Sequence, residues 1–81
     1  MKYNYITSGT CSRSIDFELN ADGTIGDVVF TGGCHGNLQG IAALVRGMKT
    51  EDAIMRLEGI DCRGKGTSCP DQLALALEST L

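Results

Sequence analysis

Four cysteines give this chain of 81 residues its clearest capacity for chemistry. They are Cys11, Cys34, Cys62 and Cys69, and the single histidine, His35, directly follows the second of them. All four fall in predicted turns or at the ends of predicted elements, outside the periodic apolar pattern. Four thiolates can complete a tetrahedral zinc site, and a histidine can replace one sulfur. The sequence therefore predicts a metal site, with zinc as the expected ion.

The spacing of the cysteines leaves other interpretations open. The closest pair, Cys62 and Cys69, is separated by six residues, so the chain lacks the C-x₂-C spacing of a zinc knuckle. Two or three of the cysteines could instead be ordinary buried thiols of a structural interaction domain. They could also carry an iron–sulfur cluster or perform thiol redox chemistry, with a reversible Cys62–Cys69 disulfide as its signature.

The stretch around Cys69 indicates where the last helix begins. Pro70 is tolerated in a first helical turn, and Ser68 with Asp71 three residues later matches a capping signature. The apolar run of residues 73–77 follows, so we expect a helix over about 70–78. The positive end of its macrodipole would favour a thiolate at Cys69.

The remaining elements follow from periodicity and turn chemistry. Alternating residues predict strands over 3–7, 13–20 and 24–31, and Asp22-Gly23 supplies a hairpin turn. Two helices come next, the first capped by Asn37 and ended by Gly47, the second capped by Thr50 and ended by Gly59. Strands followed by helices predict an α+β class: a small antiparallel sheet with two to three helices, in one domain over 1–81.

Composition excludes several kinds of partner. The net charge is −3 and the seven basic residues are scattered, which argues against nucleic-acid binding. No apolar run approaches the ~20 residues of a membrane span, and the N-terminus has no hydrophobic signal core. We therefore expect a cytoplasmic protein with reduced thiols. The serines lack the context of a catalytic triad, so the chain alone is not expected to be an enzyme.

Three motifs resemble the TSCPD domain family across essentially the whole chain. They are TSCPD at 67–71, GGCHGN at 32–37 and GIDC at 59–62. In that family the domain occurs at the C-terminus of adenosylcobalamin-dependent ribonucleotide reductases and as small stand-alone proteins, which this chain resembles. The resemblance implies a link to ribonucleotide reduction and DNA precursor supply, with a reductase as partner and the cysteines as metal ligands. It does not imply catalysis by this chain.

A second similarity is to iron–sulfur scaffold proteins of the NifU type. It rests on GCHG, GMKTEDA and CPDQLALAL, although Cys11 and Pro70 depart from that pattern and no histidine precedes the last cysteine. This similarity implies a related α+β fold and makes an iron–sulfur cluster the alternative to zinc.

Overall fold

A computed structural model describes residues 1–61, 63–64 and 66–81. Three strands precede three helices, which confirms the α+β arrangement expected from the sequence. The strands are β1 (Lys2–Ile6), β2 (Ser12–Leu19) and β3 (Ile25–Gly32). The helices are α1 (His35–Val45), α2 (Thr50–Leu57) and α3 (Cys69–Glu78).

The strands form one antiparallel sheet in the order β1-β2-β3, with one face packed and the other open to solvent. Phe17 pairs with Tyr3 on one side and Val28 on the other, so these three side chains form one row of the packed face. The rings of Tyr3 and Phe17 stack with centroids 5.3 Å apart. Asn4 and Asp16, one position along, are exposed on the opposite face. This alternation is the period of two expected of half-buried strands.

The helices cover the packed face of the sheet, and α3 is the most deeply buried of them. Leu73, Ala74, Ala76 and Leu77 of α3 have no exposed surface. The buried cluster that joins sheet and helices is Ile15, Phe17, Ile25, Val28, Val45, Ala53, Ile54, Leu73, Ala76 and Leu77. The apolar run of residues 73–77 thus supplies the centre of the core.

The first helix begins earlier than the sequence predicts. Its N-cap is Cys34, and the Leu38 N–H already donates to the Cys34 carbonyl at 3.0 Å. Gly32 and Gly33 both adopt positive φ, which turns the chain from β3 directly into the helix. The prediction of Asn37 as the cap was therefore wrong, although Cys34 does lie at a helix start as expected.

The predicted cap of the second helix was also wrong. Lys49 is the N-cap, and Thr50 is the first helical residue, with only 3% of its surface exposed. Its hydroxyl donates to the Gly23 carbonyl at 3.0 Å, which ties α2 to the β2–β3 turn. The hydroxyl is used in a tertiary contact instead of a local cap.

The predicted helix ends are confirmed. Gly47 and Gly59 each lie two residues after the last helical residue and have positive φ, which suits a glycine at that position. The longest helix, α1, has 11 residues. None of the helices in the described ranges is long and apolar enough to cross a membrane.

Candidate thiol site

The start of α3 is held by hydrogen bonds from the residues of the TSCPD string. Ser68 is the N-cap, and its hydroxyl accepts from the Asp71 N–H at 3.1 Å, as the capping signature predicts. The Asp71 carboxylate accepts from the Gly59 N–H at 2.7 Å and from the Thr67 hydroxyl at 2.6 Å. Cys69, between these anchors, is the first helical residue. Its backbone is therefore fixed at the helix N-terminus.

The loop between β1 and β2 packs against this helix start. The Ser8 N–H donates to Gln72 Oε1 at 3.1 Å, and Gln72 Nε2 in turn donates to the Thr67 hydroxyl at 3.0 Å. Gly9 has a φ of +74°, and a Cβ there would lie 3.1 Å from Thr67 Cγ2. Glycine suits this position because the backbone is left-handed and the approach is close.

The loop between β1 and β2 lies against the sulfur of Cys69. The Cys69 thiol donates to Ser12 Oγ at 3.2 Å. Burial raises the pKa of the Cys69 thiol, but hydrogen bonds with the side chain and backbone of Ser12, and with the side chains of Thr10 and Cys11, outweigh it. The pKa of Cys69 is therefore lower than usual, which favours the thiolate.

Ser12 is the centre of this arrangement, and sequence reasoning did not single it out. It is the first residue of β2 and has 4% of its surface exposed. The Thr7 hydroxyl donates to its carbonyl at 2.6 Å, and the Thr10 hydroxyl lies 3.1 Å from its Oγ. The only local feature that could have indicated a role for Ser12 is its position next to Cys11. Its contact with Cys69 joins residues 57 positions apart, which the local sequence does not reveal.

Cys34 lies on the loop that flanks Ser12 on the other side. Gly32 pairs with Ser12 across the sheet, and a Cβ on Gly33 would lie 3.3 Å from Ser12 N. Cys34 follows directly and is exposed, with no side-chain capping bond. The structure thus places Cys69 in contact with Ser12, the residue after Cys11, and leaves Cys34 on the adjoining loop.

The complete four-cysteine site predicted from the sequence is not assembled by the described residues. Within 1–61, 63–64 and 66–81, no three side chains of His, Cys, Asp or Glu lie together as a metal-binding group. Cys62, the fourth predicted ligand, lies outside the described residues. The described residues therefore place Cys69 and Cys11 next to the same residue, Ser12, without a complete set of ligands.

The exposure of the three described cysteines argues against a packing role for them. Cys11 and Cys34 are exposed, and Cys69 is partly exposed. The alternative that two or three of the four cysteines are buried in the core was therefore wrong. These thiols are open to a metal ion or a reactant.

His35, the possible substitute ligand, makes a local contact along its own helix. It is exposed, and its Nε2 lies 2.7 Å from the Gln39 side-chain nitrogen one turn further along. It borders the groove between β3 and α1, beside Leu38 and Gln39.

These features define a small α+β domain with a hydrogen-bonded thiol, Cys69, at a helix start and a second cysteine, Cys11, next to its partner Ser12 in the chain. The profile of the TSCPD domain family matches residues 1–81, and the chain belongs to this family. Membership supports a domain related to ribonucleotide reductase. No curated protein and no solved structure matches the chain. The similarity to NifU-type scaffold proteins is not shown by these comparisons.

Proposed function

We propose that this protein is a cytoplasmic accessory module of ribonucleotide reduction that holds a metal ion, zinc, with its cysteines. The observation that carries the proposal is the contact of the Cys69 thiol with Ser12 Oγ at 3.2 Å, since Ser12 directly follows Cys11 in the chain. The two cysteines come from opposite ends of the chain.

The chemistry of the donors fits zinc. Zinc binds thiolates, and the hydrogen bonds around Cys69 already favour its deprotonated form. Cys69 and Cys11 would be two ligands, and Cys34 and Cys62 would complete the set, with His35 as a substitute for one. The ion would link the β1–β2 loop to the start of α3. In a domain this small, that link would add directly to the free energy of folding.

The link to ribonucleotide reduction rests on the family. The TSCPD domain is found joined to adenosylcobalamin-dependent reductases, and the model of this family matches residues 1–81 of the chain. We infer from this family link that the domain acts together with a ribonucleotide reductase.

Metal content is the direct test. Protein purified without an affinity tag should contain about one zinc ion per chain. Cys69→Ser and Cys11→Ser should lose most of it, whereas Met55→Ala should retain it, since Met55 is an exposed sulfur residue on α2. Near-zero metal together with four reactive thiols would overturn the zinc proposal. Iron with inorganic sulfide would support the iron–sulfur alternative instead.

The partner is tested separately. Purified protein should bind a purified adenosylcobalamin-dependent reductase that lacks its own TSCPD domain, as measured by sedimentation or gel filtration. Absence of a complex at the highest soluble concentration would contradict the accessory role, whatever the metal content.

A further inference from the structure

We propose that the groove between β3 and α1 binds an extended peptide segment of another protein, which pairs as a fourth strand antiparallel to β3. The segment has apolar residues at alternate positions and an acidic residue at its N-terminal end. This inference does not depend on metal binding, and it uses none of the cysteines.

The outer side of β3 has free backbone groups. The sheet order is β1-β2-β3, and Leu19 of β2 makes both of its backbone hydrogen bonds on the side of β1. Because the direction of these bonds alternates along an antiparallel strand, the backbone groups of Asp16 point to β3, where Asp16 pairs with Val29. The N–H and C=O groups of Val28 and Phe30, on either side of Val29, therefore point away from the sheet.

This edge is apolar and is covered only at its beginning. The Ile25 N–H donates to the Met48 carbonyl at 2.9 Å, so the loop before α2 covers the first residue of β3. Further along, Val29 is 58% exposed, and in the described part of the chain no backbone group pairs with the outer side of Val28 or Phe30. An apolar strand edge with free N–H and C=O groups is a template for an added strand.

α1 forms the opposite wall of a groove along this edge. The groove has a volume of about 460 Å³, which is within the range of ligand-binding clefts, and residues 27–30 line it along β3. Leu38, Ala42 and Ala43 give it an apolar lining along α1. Alternate side chains of an added strand would contact this lining, and the others would face solvent. The groove therefore fits an extended segment with apolar residues at every second position.

The position of α1 favours a peptide over a second copy of this chain. The β3 strand of a second copy would bring its own α1 to the same side of the sheet. Packed helices need about 8–10 Å between their axes, whereas neighbouring strands lie only about 4.8 Å apart. A peptide without a covering helix meets no such obstacle.

The charges at the two ends of the groove indicate where the acidic residue binds. Near Gly32 the groove approaches Arg13, because a Cβ on Gly32 would lie 3.6 Å from Arg13 Cγ. Within the described ranges Arg13 forms no ion pair, and the first turn of α1 contains no acidic residue. At the other end, Arg46 is already paired with Asp27 at 2.6 Å. A carboxylate is thus complementary to the Gly32 end, where a strand antiparallel to β3 begins.

Synthetic peptides test the main-chain pairing and the charge. The probe is acetyl-EVKVTV-amide, titrated into isotope-labelled protein and followed by NMR. We expect the amide signals of Val28 and Phe30 to shift and to become protected from hydrogen exchange. Acetyl-EVKPTV-amide lacks a main-chain donor and should bind at least about tenfold more weakly. Acetyl-QVKVTV-amide lacks the carboxylate and should bind about twofold to fivefold more weakly.

Two substitutions on α1 provide a matched pair of protein variants. Ala43→Glu places a larger side chain in the groove and should weaken binding of acetyl-EVKVTV-amide at least about tenfold. Leu44→Glu adds the same charge at the next position, which is 78% exposed and does not line the groove, and should bind within about twofold of the wild type. Circular dichroism establishes that both variants are folded.

Several results would overturn the inference. They are absence of binding at millimolar peptide, equal binding of the proline peptide, equal loss of binding in the two glutamate variants, and amide shifts confined to β1, the other edge of the sheet. Protection of Val28 and Phe30 that rises with protein concentration alone would show that a second copy occupies the edge, contrary to the proposal. All of these outcomes are distinct from failure of the zinc proposal, which metal content decides.

Discussion

At the scale of single residues, the TSCPD string is a set of hydrogen-bonding positions around one sulfur. The Thr67 hydroxyl donates to the Asp71 carboxylate, and Ser68 caps α3. The thiol of Cys69 donates to Ser12 at the start of β2. The Asp71 carboxylate also accepts a hydrogen bond from the Gly59 N–H, just after the end of α2. The string thus positions a thiol and at the same time joins two helices.

Removing the Asp71 carboxylate should destabilise the fold. Asp71→Ala leaves the Gly59 N–H and the Thr67 hydroxyl without their acceptor in a mostly buried setting. We expect a loss of about 1–3 kcal/mol in the free energy of unfolding, measured by urea denaturation. Glu78→Ala, at the exposed end of the same helix, should change it by less than about 0.5 kcal/mol. Equal stabilities of the two variants would contradict this role of Asp71.

The lowered pKa of Cys69 predicts a pH-dependent reactivity. In metal-free protein, the rate of alkylation of Cys69 should rise at a lower pH in the native chain than in the urea-unfolded chain. Ser12→Ala should move the native midpoint upwards, since it removes a hydrogen bond to the sulfur. A native midpoint at or above the unfolded one would contradict the prediction.

The lowered pKa of Cys69 also determines the direction in which the free energy of unfolding changes with pH. Since the pKa of Cys69 is lower in the folded chain, the folded state binds fewer protons than the unfolded state between the two values. The contribution of Cys69 is therefore fully present above the unfolded pKa and is lost as the pH falls through the folded pKa. In metal-free protein, the free energy of unfolding should gain this contribution as the pH rises through that window. Urea denaturation of the wild type and of Cys69→Ser across that range measures the difference.

At the scale of elements, the two loops beside Ser12 depend on glycine for their close approach. The loop before β2 uses Gly9, and the turn between β3 and α1 uses Gly32 and Gly33. Because both loops pack at the start of β2, the geometry of the thiol site depends on backbone packing as well as on side chains.

A side chain at Gly33 should disturb this packing. Its φ is +80°, and a Cβ would lie 2.8 Å from Leu38 Cδ1 and 3.3 Å from Ser12 N. Gly33→Ala should therefore cost at least about 1–2 kcal/mol, since the left-handed conformation alone costs that much. Gly40→Ala is the control, because a Cβ at this position in α1 meets nothing within 4 Å, and it should stabilise the protein by about 0.5–1 kcal/mol. Thermal denaturation of both variants measures the contrast, and a Gly33→Ala protein as stable as Gly40→Ala would contradict it.

At the scale of the whole molecule, stability rests on a small core in which α3 is central. The core contains few aromatic residues, and its four largest fully buried side chains are Ile15, Ile25, Leu73 and Leu77. Two of these belong to α3, the helix that also carries Cys69. Loss of core packing should therefore also loosen the thiol site.

Paired leucine substitutions in α3 test this dependence. Leu73 has no exposed surface, and Leu73→Ala should cost about 2–5 kcal/mol, a large share of the stability of a domain this small. Leu75 is 42% exposed, and Leu75→Ala should cost clearly less. Chemical denaturation gives both values, and similar losses for the two leucines would contradict the central place of α3.

Much of the fold could be predicted from local sequence patterns. Alternation along β2, the turn at Asp22-Gly23, the Ser68 cap and the glycines after α1 and α2 all rest on residues a few positions apart. Predictions of helix caps from local patterns were wrong where contacts elsewhere in the fold set the start of the helix. The Thr50 hydroxyl binds the Gly23 carbonyl instead of capping a helix, and the turn at Gly32-Gly33 starts α1 at Cys34.

The sequence by itself determined the class of fold, the helix start at Cys69 and the presence of four thiols as candidate ligands. The tertiary structure alone decided that the Cys69 thiol contacts Ser12, the residue after Cys11, and that two loops pack at this position. These contacts join residues far apart in the chain, such as Ser8 with Gln72, 64 positions away. They depend on how the buried face of α3 packs against the sheet. That packing is a sum of many non-local contacts, which spacing along the chain does not encode.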